Sequence, residues 1–534
     1  MLLYARRVTL QEDPADGETD SSPSLEDLEG RAVRASILTA IQAVVGLPLA
    51  FVANLLVARW LGPHGYGQVA TYMAEFSIII VVLNGGVSDA TIQWGAAAYG
   101  RGDAAQLRAL ARRCSGYHLV VEGPLGAAAA LVLLRHEDLA TQLVGALAVG
   151  LTMALGTAVV MMTALSRTGV LAKQALLVNV ALQAAIVLTA FQTHDPGKVW
   201  VARLAVGSLT VLWPVVLVPR DVRAAIFRPA LPIRWPEGFA RYAGGTLVAG
   251  LVTTLVFSRC ELLVLDAYGQ TTAAGLYALA AGLASQLTAP VDAMLGPLVP
   301  ATASLTAVSP DRVESAIRRG VGVSTLAVLP LLLVAVPVVA LLVRLIYGEA
   351  YTSTAAPFVV LAVVSCVQSA LHPVTAFIGA MRRPGLVLMV NTAALAVDLA
   401  VVVVAARWWG LWAAVVANAL GQLVSLTVLS IVLARRYEFR FGRIAGALVP
   451  ALLIGGWSAG LAAAALAVPG ALAVRIVVVA LIGPVVGWVL VRSIGGVITA
   501  ADLASLQRSL PRRLALLVGA LSRLGLVSRV RTAG

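Results

Sequence analysis

The sequence predicts an all-α polytopic membrane protein, with about fourteen transmembrane helices arranged as two six-helix lobes plus two C-terminal helices. Three observations lead there. Charged residues make up 12% and hydrophobic residues 60% of 534, at a mean hydropathy of +0.91; a soluble chain of this size carries roughly twice that share of charge. Apolar runs of about 20 residues, enough to cross hydrocarbon at about 1.5 Å per residue, recur along nearly the whole chain. These runs are rich in Leu, Val and Ala and show no period-two alternation, which selects helices over a β-barrel.

Residues 1–35 come first and differ from the rest. Glu12 to Asp20 is acidic, and Ser21-Ser22-Pro23-Ser24 is turn-rich, so this stretch is expected to be a disordered cytoplasmic tail, either regulatory or dispensable. It lacks the basic-then-apolar order of a cleavable signal. The N-terminal lobe is placed at 36–219, with helices at 37–58, 69–92, 115–134, 139–163, 169–191 and 199–219. A basic cytoplasmic linker follows at 220–242. The C-terminal lobe spans 243–434, with helices at 243–266, 273–300, 321–346, 355–380, 385–406 and 409–434. Two further helices, 444–468 and 472–496, fill 435–496. Residues 497–534 form a basic tail in which Leu503, Leu506, Leu510, Leu514 and Leu517 alternate with Arg508, Arg512 and Arg513. That pattern suits an amphipathic segment on the anionic inner leaflet, divided at Pro511.

Orientation follows from the basic residues. With the N-terminus inside, about 31 of the 39 Lys and Arg fall in cytoplasmic segments and about 8 outside. Both termini are therefore expected in the cytoplasm, and the membrane is expected to be the inner or plasma membrane. The net charge of +13 reports this asymmetry rather than nucleic-acid binding. Because both halves start from the cytoplasm, they read as parallel repeats about an axis along the membrane normal. A sequence echo supports the repeat. Helix one exits into Leu61-Gly62-Pro63-His64-Gly65-Tyr66-Gly67, and helix seven exits into Tyr268-Gly269-Gln270, followed by Gly275-Leu276-Tyr277.

Several chemistries are absent from the sequence. There is no phosphate-binding Walker loop, and the five histidines, His64, His118, His136, His194 and His372, show no metal-ligand spacing. Cys114, Cys260 and Cys366 read as small apolar fillers, with Cys114 in a cytoplasmic loop and the other two within spans. The external loops are all short, which counts against a membrane glycan polymerase or ligase. No catalytic residue, metal or cofactor is expected.

The stretch Arg59-Trp60-Leu61-Gly62-Pro63-His64-Gly65-Tyr66-Gly67, with Gly85-Gly86-Val87-Ser88-Asp89-Ala90 after helix two, resembles polysaccharide-export flippases. So do Arg259-Cys260-Glu261-Leu262-Leu263, Pro297-Leu298-Val299-Pro300, Tyr347-Gly348-Glu349-Ala350-Tyr351 and Ile378-Gly379-Ala380-Met381-Arg382-Arg383. Trp409-Gly410-Leu411-Trp412-Ala413-Ala414 matches the family's entry to helix twelve loosely, with Ala413 where a second glycine usually stands. The resemblance covers residues 35–495. It implies the multidrug/oligosaccharidyl-lipid/polysaccharide exporter superfamily, two lobes around a central cavity, and translocation of a polyprenyl-pyrophosphate-linked oligosaccharide for surface polysaccharide. Lipid II and multidrug exporters of the same superfamily are the alternatives. The implied partners are the polyprenyl-linked glycan, membrane lipids and a polysaccharide polymerase or assembly complex, with the chain itself a monomer.

Charges inside spans are costly and normally face a cavity or one another. Arg59, Arg259, Glu261 and Asp398 are the candidate substrate-cavity residues, since arginine forks suit phosphate. Asp89, Asp292 and Asp398 are the candidate ion-coupling carboxylates. Each has a structural alternative: Arg59 and Arg259 as snorkelling side chains, Glu261 as a local salt-bridge partner, and Asp89 as an interfacial group.

Overall fold

The computed structural model describes residues 25–256, 260–295, 313–374, 377, 384–437, 441–493, 498–499 and 527–528. The acidic run at 12–20, Arg259, Pro297, Pro300, the turn at 378–383 and most of the 497–534 tail lie outside the described residues.

The first helical run, Leu25–Asn84, is divided at Gly62, whose φ of 68° and ψ of 176° lie outside helical space. It thus forms α1 (residues 25–61) and α2 (residues 63–84). Next come α3 (Val87–Gly100), α4 (Ala104–Tyr117), α5 (Gly123–Leu133), α6 (Leu139–Ala154), α7 (Thr157–Ala164), α8 (Thr168–Thr193), α9 (Pro196–Gly207) and α10 (Leu209–Leu217). A π turn, His118–Glu122, joins α4 to α5. The linker opens with α11 (Arg220–Ile226). The second half holds α12 (Phe239–Val256), α13 (Cys260–Ala267), α14 (Thr271–Leu295), α15 (Val313–Pro330), α16 (Val336–Tyr347), α17 (Ala355–Ala370), α18 (Pro384–Trp409) and α19 (Leu411–Tyr437). The last helices are α20 (Phe441–Ala467) and α21 (Leu472–Ser493). A two-residue parallel bridge pairs Ile498–Thr499 with Val527–Ser528.

The chain is an all-α polytopic membrane protein. Among the described residues nine helices are long and apolar enough to cross a membrane, ten when α12 and α13 count as one span. Each of the fourteen segments read from the sequence overlaps helix among the described residues. Several boundaries differ, and two of them change a reading. Helix begins at Leu25, inside the stretch expected to be disordered. The third segment begins at Ala104 rather than near residue 115, so Cys114, expected in a loop, is buried in α4. The reason is local: Asp103 accepts from Gln106 N at 2.9 Å and caps the helix. Leu107, Leu110, Ala111 and Cys114 then give α4 a buried face, while Arg108 and Arg112 stay exposed. Between the spans, Asp138 caps α6 by accepting from Thr141 N at 3.0 Å and Thr141 Oγ1 at 2.6 Å. These bonds hold its carboxyl below the usual range.

The two halves meet through α2 and α14. A Cβ on Gly67 would lie 2.1 Å from Thr271 O, and one on Gly275 would lie 1.9 Å from Pro63 O. The contact is reciprocal: the i, i+4 pair Pro63/Gly67 on one helix faces Thr271/Gly275 on the other. Small residues at a helix crossing let backbones touch where lipid offers no hydrophobic driving force. The echo between the two glycine turns is thus also a physical contact. Beyond the other end of α2, Gly86, at φ 72°, presses on α12, where a Cβ on the glycine would lie 2.1 Å from Ala243 O. The first half therefore touches the second at both ends of α2. The last two helices pack outside the second half, α20 against α15, α16 and α17, and α21 against α20 and the π turn Leu331–Ala335.

Gly67→Ala and Gly275→Ala are each expected to lower stability by about 1–3 kcal/mol through overpacking. Gly282→Ala in α14, whose Cβ would meet nothing within 4 Å, is expected to change it little. Thermal unfolding of the detergent-solubilised variants checks this.

Candidate functional site

Two polar clusters are buried where hydrocarbon-facing sequence surrounds them. The first lies in the second half, where α13, α14, α18 and α19 converge. Glu261, on the first turn of α13, is 0% exposed, and Asp398, in the middle of α18, is 2% exposed. Gly421 of α19 makes room for the aspartate: a Cβ there would sit 3.1 Å from Asp398 Cβ. Cys260 Sγ lies 3.5 Å from both Glu261 Oε2 and Asp398 Oδ2. One ligand-type atom from each of Cys260, Glu261 and Asp398 falls within 4.8 Å of the others.

Neutral donors complete the shell. Tyr277 of α14 donates its hydroxyl to Glu261 Oε1 at 2.7 Å, and Asn418 of α19 donates Nδ2 to the same oxygen at 2.8 Å. Gln422 Nε2 donates to Asn418 Oδ1 at 2.6 Å and fixes which way that amide points. Asp398 Oδ1 is buried with no hydrogen-bond partner among the described residues. Two carboxyls this close, remote from water, do not both remain ionised unless a proton or cation sits with them. The cluster could therefore hold a proton or a cation. Its carboxylate oxygens suit a proton or a hard cation, while the thiol is a poor ligand for a hard cation and acts as a donor.

The second cluster lies in the first half at the π turn. His118 is 1% exposed and Glu122 5%, with His118 Nε2 3.1 Å from Glu122 Oε2. Ser88 Oγ lies 3.3 Å from the same nitrogen, and Thr157 Oγ1 lies 2.8 Å from Nδ1. Asn84 Nδ2 donates to Ser88 Oγ at 2.7 Å. This cluster opens on a cavity of about 340 Å³ between α2, the π turn, α6, α7, α8 and α10.

Of the residues singled out from sequence, Glu261 and Asp398 come together. Asp292 belongs elsewhere: on α14 it accepts from Ser369 Oγ at 2.7 Å and faces His372 Nδ1 at 3.5 Å. Asp89 on α3 and Arg59 near the end of α1 are exposed. Arg259 immediately precedes the described part of α13. Sequence reasoning passed over Cys260 as an apolar filler, and over Tyr277 and Asn418 because they carry no charge. It also treated His118 as one of a scattered set. The signal for His118 was its four-residue spacing from Glu122 within an apolar span, which puts both on one helix face.

Comparison with known proteins agrees with this architecture. Residues 171–357, from α8 into α17, match the family described as polysaccharide biosynthesis protein. The solved structure of the lipid II flippase MurJ in an inward closed conformation is similar at 10% identity and a TM-score of 0.57, covering 85% of this chain and 99% of that one. An inward-facing multidrug resistance MATE family transporter of the MOP superfamily is similar at 15% identity and a TM-score of 0.54, covering 76% and 99%. No curated protein matches the chain by sequence. The resemblance read from the sequence is thus borne out: the chain has the fold of MOP-superfamily transporters, and residues 171–357 match a polysaccharide biosynthesis family.

Asn418→Leu is expected to destabilise the protein by about 1–3 kcal/mol, because it strips a donor from a buried carboxyl. Tyr277→Phe is expected to act in the same direction. Asp292→Asn, on a half-buried carboxyl, should cost less than either when midpoints of thermal unfolding are compared.

Proposed function

We propose that this chain is a flippase that moves a polyprenyl-pyrophosphate-linked oligosaccharide across the cytoplasmic membrane by alternating access, for cell-surface polysaccharide. The observation that carries the reading is a polysaccharide-biosynthesis match lying on a transporter fold. That match includes α13, and with it Glu261. The similarity to a lipid II flippase supports a lipid-linked cargo, and the similarity to transporters supports translocation rather than catalysis. Two lobes, residues 36–219 and 243–434, rock about the α2–α14 contact, with both termini in the cytoplasm.

In this reading the Cys260–Glu261–Asp398 cluster supplies the coupling. A proton or hard monovalent cation shared by the carboxyl pair reduces its charge from −2 to −1 and lets α13, α18 and α19 pack closely. Its release leaves like charges together, which favours a state that admits water. Arg59 and Arg259 offer guanidinium groups to the pyrophosphate near the ends of α1 and α13. Asp292, with Ser369 and His372, and Asp89 are positioned for supporting roles. A polymerase or assembly complex takes up the product at the outer face, while the chain itself works as a monomer.

Deleting the gene is expected to abolish surface polymer and to leave lipid-linked precursor on the inner leaflet. The wild-type gene should restore the polymer; an Asp398→Asn or Glu261→Gln gene expressed at equal level should restore less than a tenth of it. An unchanged glycan profile on deletion would contradict the reading and favour a small-molecule exporter. Full rescue by both carboxamide variants would remove the cluster from the mechanism.

A further inference from the structure

Three consecutive spans lose regularity around the second buried cluster. The second breaks at Gly85–Gly86, between α2 and α3; the third widens into the π turn His118–Glu122; and the fourth breaks between Ala154 and Thr157. Single π turns interrupt helices frequently at functional sites. Here Gly123 N bonds back to His118 O. The residues that face one another across these interruptions are polar, so the irregularity encloses a site rather than a packing fault.

The hydrogen bonds in that site have a direction. Asn84 Nδ2 can only donate, and it donates to Ser88 Oγ. The Ser88 hydroxyl proton is then available for His118 Nε2, 3.3 Å away. On the other side of the ring, Thr157 Oγ1 donates to Cys114 Sγ at 3.8 Å. That leaves the threonine oxygen to accept from His118 Nδ1 at 2.8 Å. With the bonds in this direction the neutral imidazole carries its proton on Nδ1 and a lone pair on Nε2. That lone pair lies 3.1 Å from Glu122 Oε2, and this oxygen is buried without a hydrogen-bond partner among the described residues. Two acceptors thus face each other across a gap sized for one shared proton.

We propose that His118 and Glu122 form a proton-exchange site in the first half, loaded from the adjoining cavity. One proton passes from water in the cavity into the gap between Nε2 and Oε2. The pair changes from neutral imidazole beside carboxylate, net charge −1, to a net-neutral unit, and no other bond is made or broken. Ser88 serves the unprotonated ring and Glu122 the protonated one, so both states are provided for. Among the described residues, His118 and Glu122 are the only charged or titratable ones lining the cavity. Cys114, 3.8 Å from Nε2, and Tyr117 face the pair from its own span. The opposing helices present Asn84, Ser88, Thr157 and Gln174, and Asp89 beside Ser88 is exposed.

The site also adjoins the joint between the halves. Asn84 and Ser88 straddle the Gly85–Gly86 break, and Tyr117 donates to Leu83 O at 2.6 Å just before it. Gly86 in turn presses on Ala243 and Thr246 of α12. Proton uptake thus occurs one hydrogen bond from the backbone where the first half meets the second. This holds whatever the cargo, so its test is independent of the glycan reading.

The test is pH titration of the full chain, ¹⁵N-labelled at histidine, in lipid nanodiscs, with His118 assigned by His118→Asn. Wild type should show a single midpoint at which the His118 ring nitrogens report uptake of one proton by the His118–Glu122 pair. Ser88→Ala and Glu122→Gln should move that midpoint in opposite directions, each by about one pH unit, a tenfold change in proton affinity. A histidine of merely structural importance would not respond with opposite signs. A His118 ring whose signals show no such midpoint, or a midpoint that both variants leave in place, would overturn the proposal. Should Glu122→Gln fail to fold, Ser88→Ala and Glu122→Asp form the pair, with the same opposition expected.

Discussion

Inside hydrocarbon a backbone N–H or C=O has no water to bond, so each departure from a regular helix must bring its own partner. The distribution of polar side chains in this protein follows from that constraint. The break after α2 frees the Leu83 carbonyl, and Tyr117 supplies a hydroxyl to it. The π turn between α4 and α5 lies where His118, Ser88 and Thr157 bond one another. In the second half, α13 begins with Cys260 and Glu261, and Tyr277 and Asn418 bond the glutamate. Irregular backbone and buried polar side chains therefore occur together, and they are the places where a transporter can hold an ion or change shape.

The same constraint shapes the contact between halves. Helices in lipid gain little from apolar area and much from close approach, so the halves meet through glycine. Pro63 and Gly67 face Thr271 and Gly275 with backbone against backbone. Such a contact is geometrically demanding, since a Cβ on either glycine would overlap the opposing backbone. Each half holds one buried acidic cluster beside an end of this arrangement. The Glu122 cluster adjoins the Gly86–α12 contact, and the Glu261 cluster lies on α13, immediately before α14. In the proposed mechanism, loading either cluster changes the charge stored next to a contact between the halves.

Much of the fold was legible because the bilayer fixes helix length and forbids most alternatives. The Leu-, Val- and Ala-rich runs pointed to the helices among the described residues, and the Gly62 turn was visible in Leu61-Gly62-Pro63. The start of the third span was missed because Arg108, Arg112 and Arg113 resemble a cytoplasmic loop, although the opposite face of that helix is apolar. Asp398 was legible as a charge in mid-span, and Glu261 as part of a motif. Their contact was not, because it joins residues far apart in sequence through Cys260. The π turn had no local signature: His118-Leu119-Val120-Val121-Glu122 contains no helix breaker. Its polar partners Ser88 and Thr157 are uncharged and drew no notice.

The most direct test of the account is flipping by the purified chain in liposomes that carry a polyprenyl-pyrophosphate-linked oligosaccharide in both leaflets. A membrane-impermeant glycosidase added outside reports how much cargo reaches the outer surface. The account predicts that wild type exposes nearly all of the cargo and that an imposed cation or proton gradient changes the rate. Digestion that stops at the fraction seen in protein-free liposomes, with the chain folded and correctly inserted, would contradict it.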